Sequence, residues 1–329
     1  MSLRSLTTAL GTLLVLAVAS PAAALSGIAI RALCEGDGGV KGDNAPVAKA
    51  ARAEGDAAFA RRADAKQVDL AIAAYERSLA ANAAQPEVRV KLSRAYYLIG
   101  DGRYRFAEED EAQLEAFEKG MRHAAAALAT VNPAFRSRIC SGAPLGDAMA
   151  VLDRASVPAL YWFATHLGKY GLAKDLLEVL ANKDMIFQSM ARLRELAPDY
   201  FYYAPDRYLG AYYTKVPFPA GDLPRSLAHF QASMRGARDY FATYVLTAEL
   251  YALKAKAKTP ESAKFCRADS ATGAAAGAEN ACRRLFRVML EHVVKAENKL
   301  PDIAAEQEVE RQKAKRLLEE LDTYFPSAN

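Results

Sequence analysis

The chain has 329 residues, 52% hydrophobic and 25% charged, with 19 Gly, 14 Pro and four Cys. That composition excludes a disordered chain, a collagen-like repeat and a disulfide-dense miniprotein, and the length admits two average domains or one elongated array of small units. Lys and Arg number 43 against 39 Asp and Glu, a net charge of +4, and the two signs are interleaved along the chain. Without a basic stripe, nucleic acid is not an expected partner.

Residues 1–24 read as a cleaved secretory signal. Arg4 is the first charge and Arg31 the next; Thr7 to Ala19 is an apolar run short for a bilayer span, and Pro21 and Ala22-Ala23-Ala24 follow in the small-residue pattern of a cleavage site. An uncleaved anchor is the competing reading, disfavoured because Pro21 and Gly27 interrupt the run. Cys34 follows Arg31-Ala32-Leu33 and not a small-residue lipoprotein box, so no stable membrane anchor is expected. Export gives the four cysteines a meaning, since an even number in an oxidising compartment favours disulfides. Of three open pairings, Cys266–Cys282 is favoured because the two flank a small-residue stretch that a disulfide would close; Cys34–Cys140 is the remainder.

Residues 25–44 form a connector, Gly-rich from Glu35 to Asn44. Beyond it, apolar residues recur at spacings of three and four among Ala, Leu, Glu, Lys and Arg, the amphipathic helix pattern, and sustained period-2 runs are missing. Breakers at Pro86, Gly100 to Gly102, Pro133, Pro144, Gly168 to Gly171, Pro198, Pro205, Pro217 to Gly221, Pro260 and Pro301 divide the chain at helix-length intervals. The expected fold is all-α, one domain over 45–325, with an inserted loop at 254–281.

The helices repeat. Leu92 to Asp101 reads as the first helix and turn of a tetratricopeptide-like unit, and Ala71 to Leu79, with Tyr75-x-x-Ser78-Leu79, as a second helix; another copy is Leu209-Gly210-Ala211-Tyr212-Tyr213, Gly221-Asp222, then Ser226 to Met234. Small residues such as Gly210 and Ser233 let two backbones approach while Tyr213 and Phe230 fill the space around them. Weaker copies start at Gly55 and follow Tyr96, and another covers Tyr244 to Tyr251. Insertions relative to a unit of about 34 residues make this a degenerate array of antiparallel helical hairpins. The last segment, Glu306 to Glu320, reads as a capping helix with Leu317, Leu318 and Leu321 facing the array.

Tyr203 to Leu223 (YAPDRYLGAYYTKVPFPAGDL), running into the Ser226 to Met234 helix, together with Ala159-Leu160-Tyr161-Trp162-Phe163-Ala164, resembles the T-component family of tripartite ATP-independent periplasmic (TRAP) transporters. The resemblance implies a periplasmic accessory protein with TPR-like hairpins, a TRAP solute-binding protein as partner, and assembly as a homotrimeric ring around a pore. The two-cysteine insertion is not a feature associated with that family. A general periplasmic scaffold for envelope protein–protein contacts is the alternative function.

Aromatic residues that cluster from Tyr200 to Tyr213, joined by Trp162, suit a groove for an amphipathic ligand or a partner segment. The candidate binding residues are Trp162, Tyr203, Arg207, Tyr208, Tyr212 and Lys215, with Arg207 and Lys215 placed to pair with the carboxylate of an organic acid. Repeat positions favour packing for Tyr212 and Tyr213, solvated surface is favoured for the two cations, and Asp206 reads as an N-cap after Pro205. No catalytic residue, cofactor or metal site is expected. His123, His166, His229 and His292 are scattered, Glu108 to Glu111 reads as a solvated helix start, and no nucleophile elbow, P-loop or dinucleotide fingerprint is present.

Overall fold

Residues 27–35, 44–256, 266 and 281–326 are described by a computed structural model, and they are helical with no strand among them. The signal segment 1–24, Pro260 and all of 257–280 except Cys266 lie outside the described residues. Helices α1 (Gly27–Cys34), α2 (Ala45–Phe59) and α3 (Ala65–Ala81) precede α4 (Pro86–Leu98). The latter runs on through a π-helical turn, Ile99–Tyr104, and a last turn, Arg105–Ala107, before α5 (Asp110–Val131). Two short helices, α6 (Pro133–Cys140) and α7 (Leu145–Ala150), lead to α8 (Val157–Lys174) and α9 (Leu176–Leu196). Next come α10 (Tyr200–Lys215), α11 (Leu223–Gly236) and α12 (Phe241–Leu246), the last also extended by a π-helical turn, Thr247–Ala252, and by Leu253–Lys256. The chain closes with α13 (Ala281–Lys295), α14 (Ala304–Glu319) and α15 (Leu321–Tyr324).

Helices begin where the sequence supplies a cap. Asn44, Asp64, Asn132, Asp175 and Asp222 each accept a backbone N–H of the following first turn, which is worth about 1 kcal/mol apiece. Pro86 and Pro133 occupy first-turn positions, where no N–H is missed. Asp110 and Glu111 open α5 in solvent, as the acidic run suggested.

Three expected breaks do not divide helices, and at one of them Pro205 lies inside α10 because the kink comes earlier, at Phe201 to Tyr203. Gly168 and Gly171 lie inside α8; an added Cβ at Gly171 would meet the Val179 backbone at 3.2 Å, so this glycine allows α9 to start against α8. Gly100 to Gly102 continues α4 as a π-helical turn, the widened form that inserts one residue into the i→i−4 ladder. The N-terminal connector is also more than a linker: Ile28, Ala29, Ala32 and Leu33 of α1 are buried against α5 and α6. Cys34–Cys140 fastens that contact with a Cα–Cα distance of 5.7 Å, and Cys266–Cys282 is bonded as well, at 5.0 Å. Both pairings are the favoured ones.

Neighbouring helices pack as pairs, α2 with α3, α4 with α5, α8 with α9, α10 with α11 and α13 with α14, while α5 also lies along α8. Short connections make such sequence neighbours antiparallel. One contact recurs among them. An added Cβ would meet the Tyr75 ring at 2.6 Å from Gly55, the Phe117 ring at 2.8 Å from Gly100 and the Phe230 ring at 2.9 Å from Gly210. Serine hydroxyls close the same gaps: Ser78 donates to the Ala48 carbonyl (2.8 Å), Ser226 to Gly210 (2.7 Å) and, from α4 to α5, Ser93 to Gly120 (2.8 Å).

The tightest approach between two helices is at Gly120, whose absent Cβ would stand 2.1 Å from the buried His166 ring. Replacing a helical glycine by alanine gains up to about 1 kcal/mol of helix propensity, whereas forcing volume into a packed core costs about 1–3 kcal/mol. Gly120→Ala is therefore expected to lower the unfolding midpoint in thermal or urea melts; a midpoint that stays or rises would show that α5 and α8 can part at no cost.

Candidate functional site

The two π-helical turns each present an acidic residue to the interior. Asp101, in the turn after α4, is 1% exposed. Its carboxylate accepts from the Tyr97 hydroxyl (2.8 Å), from Lys169 Nζ on α8 (2.7 Å) and from Lys313 Nζ on α14 (2.5 Å), with the Arg105 guanidinium 3.8 Å away. Glu249, in the turn after α12, accepts from Arg105 at 2.7 Å. Lys313 also donates to Glu310 at 2.8 Å. Three carboxylates and three cations from α8, α14, the two π turns and the turn Arg105–Ala107 thus meet, with Asp101, Lys313 and Glu310 buried and Arg105 and Glu249 at the partly exposed edge.

Burial alone would raise the carboxyl pKa values. At Asp101 the field of Lys169, Lys313 and Arg105 overcomes it and holds the group well below the usual carboxylate range; at Glu249, Arg105 overcomes burial and lowers the pKa. Burial and the neighbouring Lys313 and Arg105 draw Lys169 down, because it shares one carboxylate with a second lysine.

A cavity of about 210 Å³ opens beside this network. Its charged lining residues are Asp101, Arg105, Lys169, Glu249 and Lys215 from the end of α10, and Phe117, Leu172, Leu246 and Leu250 are its large apolar ones. Lys215 is half-buried and has no hydrogen-bond or ion-pair partner among the described residues. Burial, with Lys254 and Arg105 nearby, keeps its ammonium below the ordinary lysine value despite Glu249.

The other residues singled out from sequence lie elsewhere. Trp162 is buried against Tyr161 (4.9 Å), Tyr97 and Phe201 (both 5.4 Å between centroids). Tyr208 faces Tyr161, Tyr212 rests on Phe187, and the Tyr203 ring covers Gly236. Arg207 is not on solvated surface: it is fully buried, donates to the carbonyls of Tyr202 (2.9 Å) and Phe201 (3.4 Å), and stacks over Tyr240 at 4.4 Å. Those bonds hold Phe201, Tyr202 and Tyr203 in left-handed conformations, with φ of 44°, 60° and 56°. Asp206 is not a cap either. The kink moves it inside the chain, where it accepts from Arg194 Nε (3.0 Å) and His229 Nδ1 (2.7 Å). His166 donates to the Ser93 carbonyl at 2.9 Å, and burial lowers its pKa to about 3, so it stays neutral and cannot serve as a base that titrates near neutrality. Among the described residues no group of three or more His, Cys, Asp or Glu could hold a metal ion.

Removing one member of a buried ion network leaves its partners uncompensated, which costs about 3–5 kcal/mol. Asp101→Asn is expected to lower stability at pH 7 by that amount. Because Asp101 and Glu249 are held below their ordinary values, their contribution is complete above an unfolded-state pKa of about 4 and is lost as pH falls through the depressed native values. Chemical unfolding at a series of pH values should show a decline below about pH 4 in the wild type and a flatter one in Asp101→Asn; equal slopes would contradict the network.

A search of the curated proteins finds no match. The protein-family model described as TRAP transporter T-component matches residues 103–268, half of the chain. That span takes in Arg105, Lys169, Lys215 and Glu249, together with every aromatic residue from Trp162 to Tyr213 discussed above. The chain belongs to the T-component family of TRAP transporters.

Proposed function

We propose that this protein is an exported accessory subunit of a TRAP transporter that docks the solute-binding protein of its system and handles that protein's ligand at the polar cavity. Family membership carries this reading. The two disulfides suit an oxidising compartment, the periplasm, and the N-terminal sequence pattern supplies the export signal. Among the described residues no helix is long and apolar enough to cross a membrane. A homotrimer is part of the same reading.

Docking is placed at the rim of the cavity. Leu172 lines the cavity and is 43% exposed, and Leu176 and Leu177 follow at 56% and 77%. Three residues beyond Lys215, Phe218 is 90% exposed between Pro217 and Pro219. Its loop is closed by Gly221 N–H donating to the Pro217 carbonyl and Asp222 N–H to Tyr213, both at 3.0 Å. An aromatic side chain held in water on a braced loop is pre-organised for insertion into a partner, and such anchors dominate interface energetics.

In biolayer interferometry with the solute-binding protein of the same transporter, Phe218→Ser combined with Leu177→Asp is expected to weaken binding at least about tenfold, or 1.4 kcal/mol, with an unchanged melting temperature. Undiminished affinity would remove the rim as the docking face, and no binding by the wild type would remove the docking role. Light scattering should give the mass of three chains.

A further inference from the structure

We infer that the cavity beside Asp101 is a binding site for a short, branched or linear monocarboxylate, held by its carboxylate on Lys215. This deepens the ligand-handling part of the proposed function and rests on that part, not on docking.

The first argument is charge. Arg105, Lys169, Lys215 and Lys313 face Asp101, Glu249 and Glu310. Arg105 is matched by Glu249, and Lys169 and Lys313 by Asp101 and Glu310; Lys215 is left over among the described residues. A half-buried ammonium without a counter-ion is costly, and one anionic group from a ligand would neutralise the site. A dicarboxylate would bring one negative charge too many, next to Asp101 and Glu249.

Shape and polarity narrow the class further. Phe117, Leu246 and Leu250 also line the cavity and supply apolar surface suited to a hydrocarbon tail. The volume of about 210 Å³ equals that of about seven waters, room for an acid of roughly six to ten non-hydrogen atoms. Leu172, both a wall residue and 43% exposed, marks where such a ligand enters.

Isothermal titration calorimetry of the purified chain with 4-methylpentanoate, and with its neutral amide of the same shape, tests the assignment. The acid is expected to bind at one site per chain and the amide about 10- to 100-fold more weakly, the range for a hydrogen bond to a charged group. Lys215→Met should weaken the acid to the same extent and leave the amide unchanged, while Lys215→Arg should restore binding of the acid. Lys215 belongs to none of the ion pairs above and its buried charge carries a cost, so Lys215→Met should melt no lower than the wild type. The inference is overturned if the acid gives no saturable heat, if acid and amide bind alike, or if Lys215→Met binds the acid as well as the wild type does. Because the titration uses this chain alone, its failure leaves docking standing, and loss of docking leaves the titration standing.

Discussion

A carboxylate with almost no access to water must be met by cations and hydrogen-bond donors, or it gives up its charge or its place in the core. Asp101 is met by lysines from two distant stretches of sequence, Lys169 on α8 and Lys313 on α14. Its demand therefore fixes where the C-terminal helix sits. Glu306, one turn before Glu310, meets the same requirement from the other side, accepting from Arg62 in the turn between α2 and α3 and from Arg94 on α4. Gln307 binds the Phe241 N–H and the Asp239 carbonyl at the start of α12. The last long helix is thus a polar strut joining both ends of the chain, where amphipathic patterning alone suggests an apolar lid. Leu317 is buried and Leu318 and Leu321 pack against the same core, as that patterning implies.

The strut can be polar because apolar cohesion is supplied elsewhere, by close helix pairs. At Gly55, Gly100 and Gly210 an aromatic ring lies where a side chain would otherwise stand. Each pair then approaches closely enough for dispersion contacts to accumulate over whole rings. This accounts for the aromatic wealth between Tyr200 and Tyr213 more fully than a groove does: Tyr161, Trp162, Phe201 and Tyr208 share one cluster, and Arg207 sits under Tyr240 to brace the left-handed residues that begin α10.

Much of this architecture was legible in the sequence, because helical periodicity, caps and close-packing glycines are local signals. The pairing of Gly210 with Phe230, the disulfide partners and most proline boundaries followed from a few residues each. The ion network did not, since its members are separated by up to 212 positions and no local pattern links them. Two traces were present. An acid between two glycines, Gly100-Asp101-Gly102, is an odd way to end a helix; and Glu306, Glu310 and Lys313 fall on the same helical stripe as Ala314 and Leu317, the stripe that is buried. Asp206 and Arg207 misled because capping and solvation are inferred from a helix start, and the kink at Phe201 to Tyr203 displaces that start.

The two π turns join the packing of the helices to the cavity. A π turn spends regular helix bonding to push one residue out of register, and here the displaced residues carry Asp101 and Glu249, with Arg105 bonded to Glu249 and lying near Asp101. The same residues form the charged wall of the cavity. An anion bound on Lys215, as proposed, would enter the field of Arg105 and share it with Glu249, so that occupancy of the cavity and the set of α12 against α4 would draw on one guanidinium. Coupling of this kind needs no long pathway. A single arginine that has two competing acceptors links a ligand to the helices on either side of it, and the exposed rim from Leu172 to Leu177 begins on one of the cavity's own wall residues.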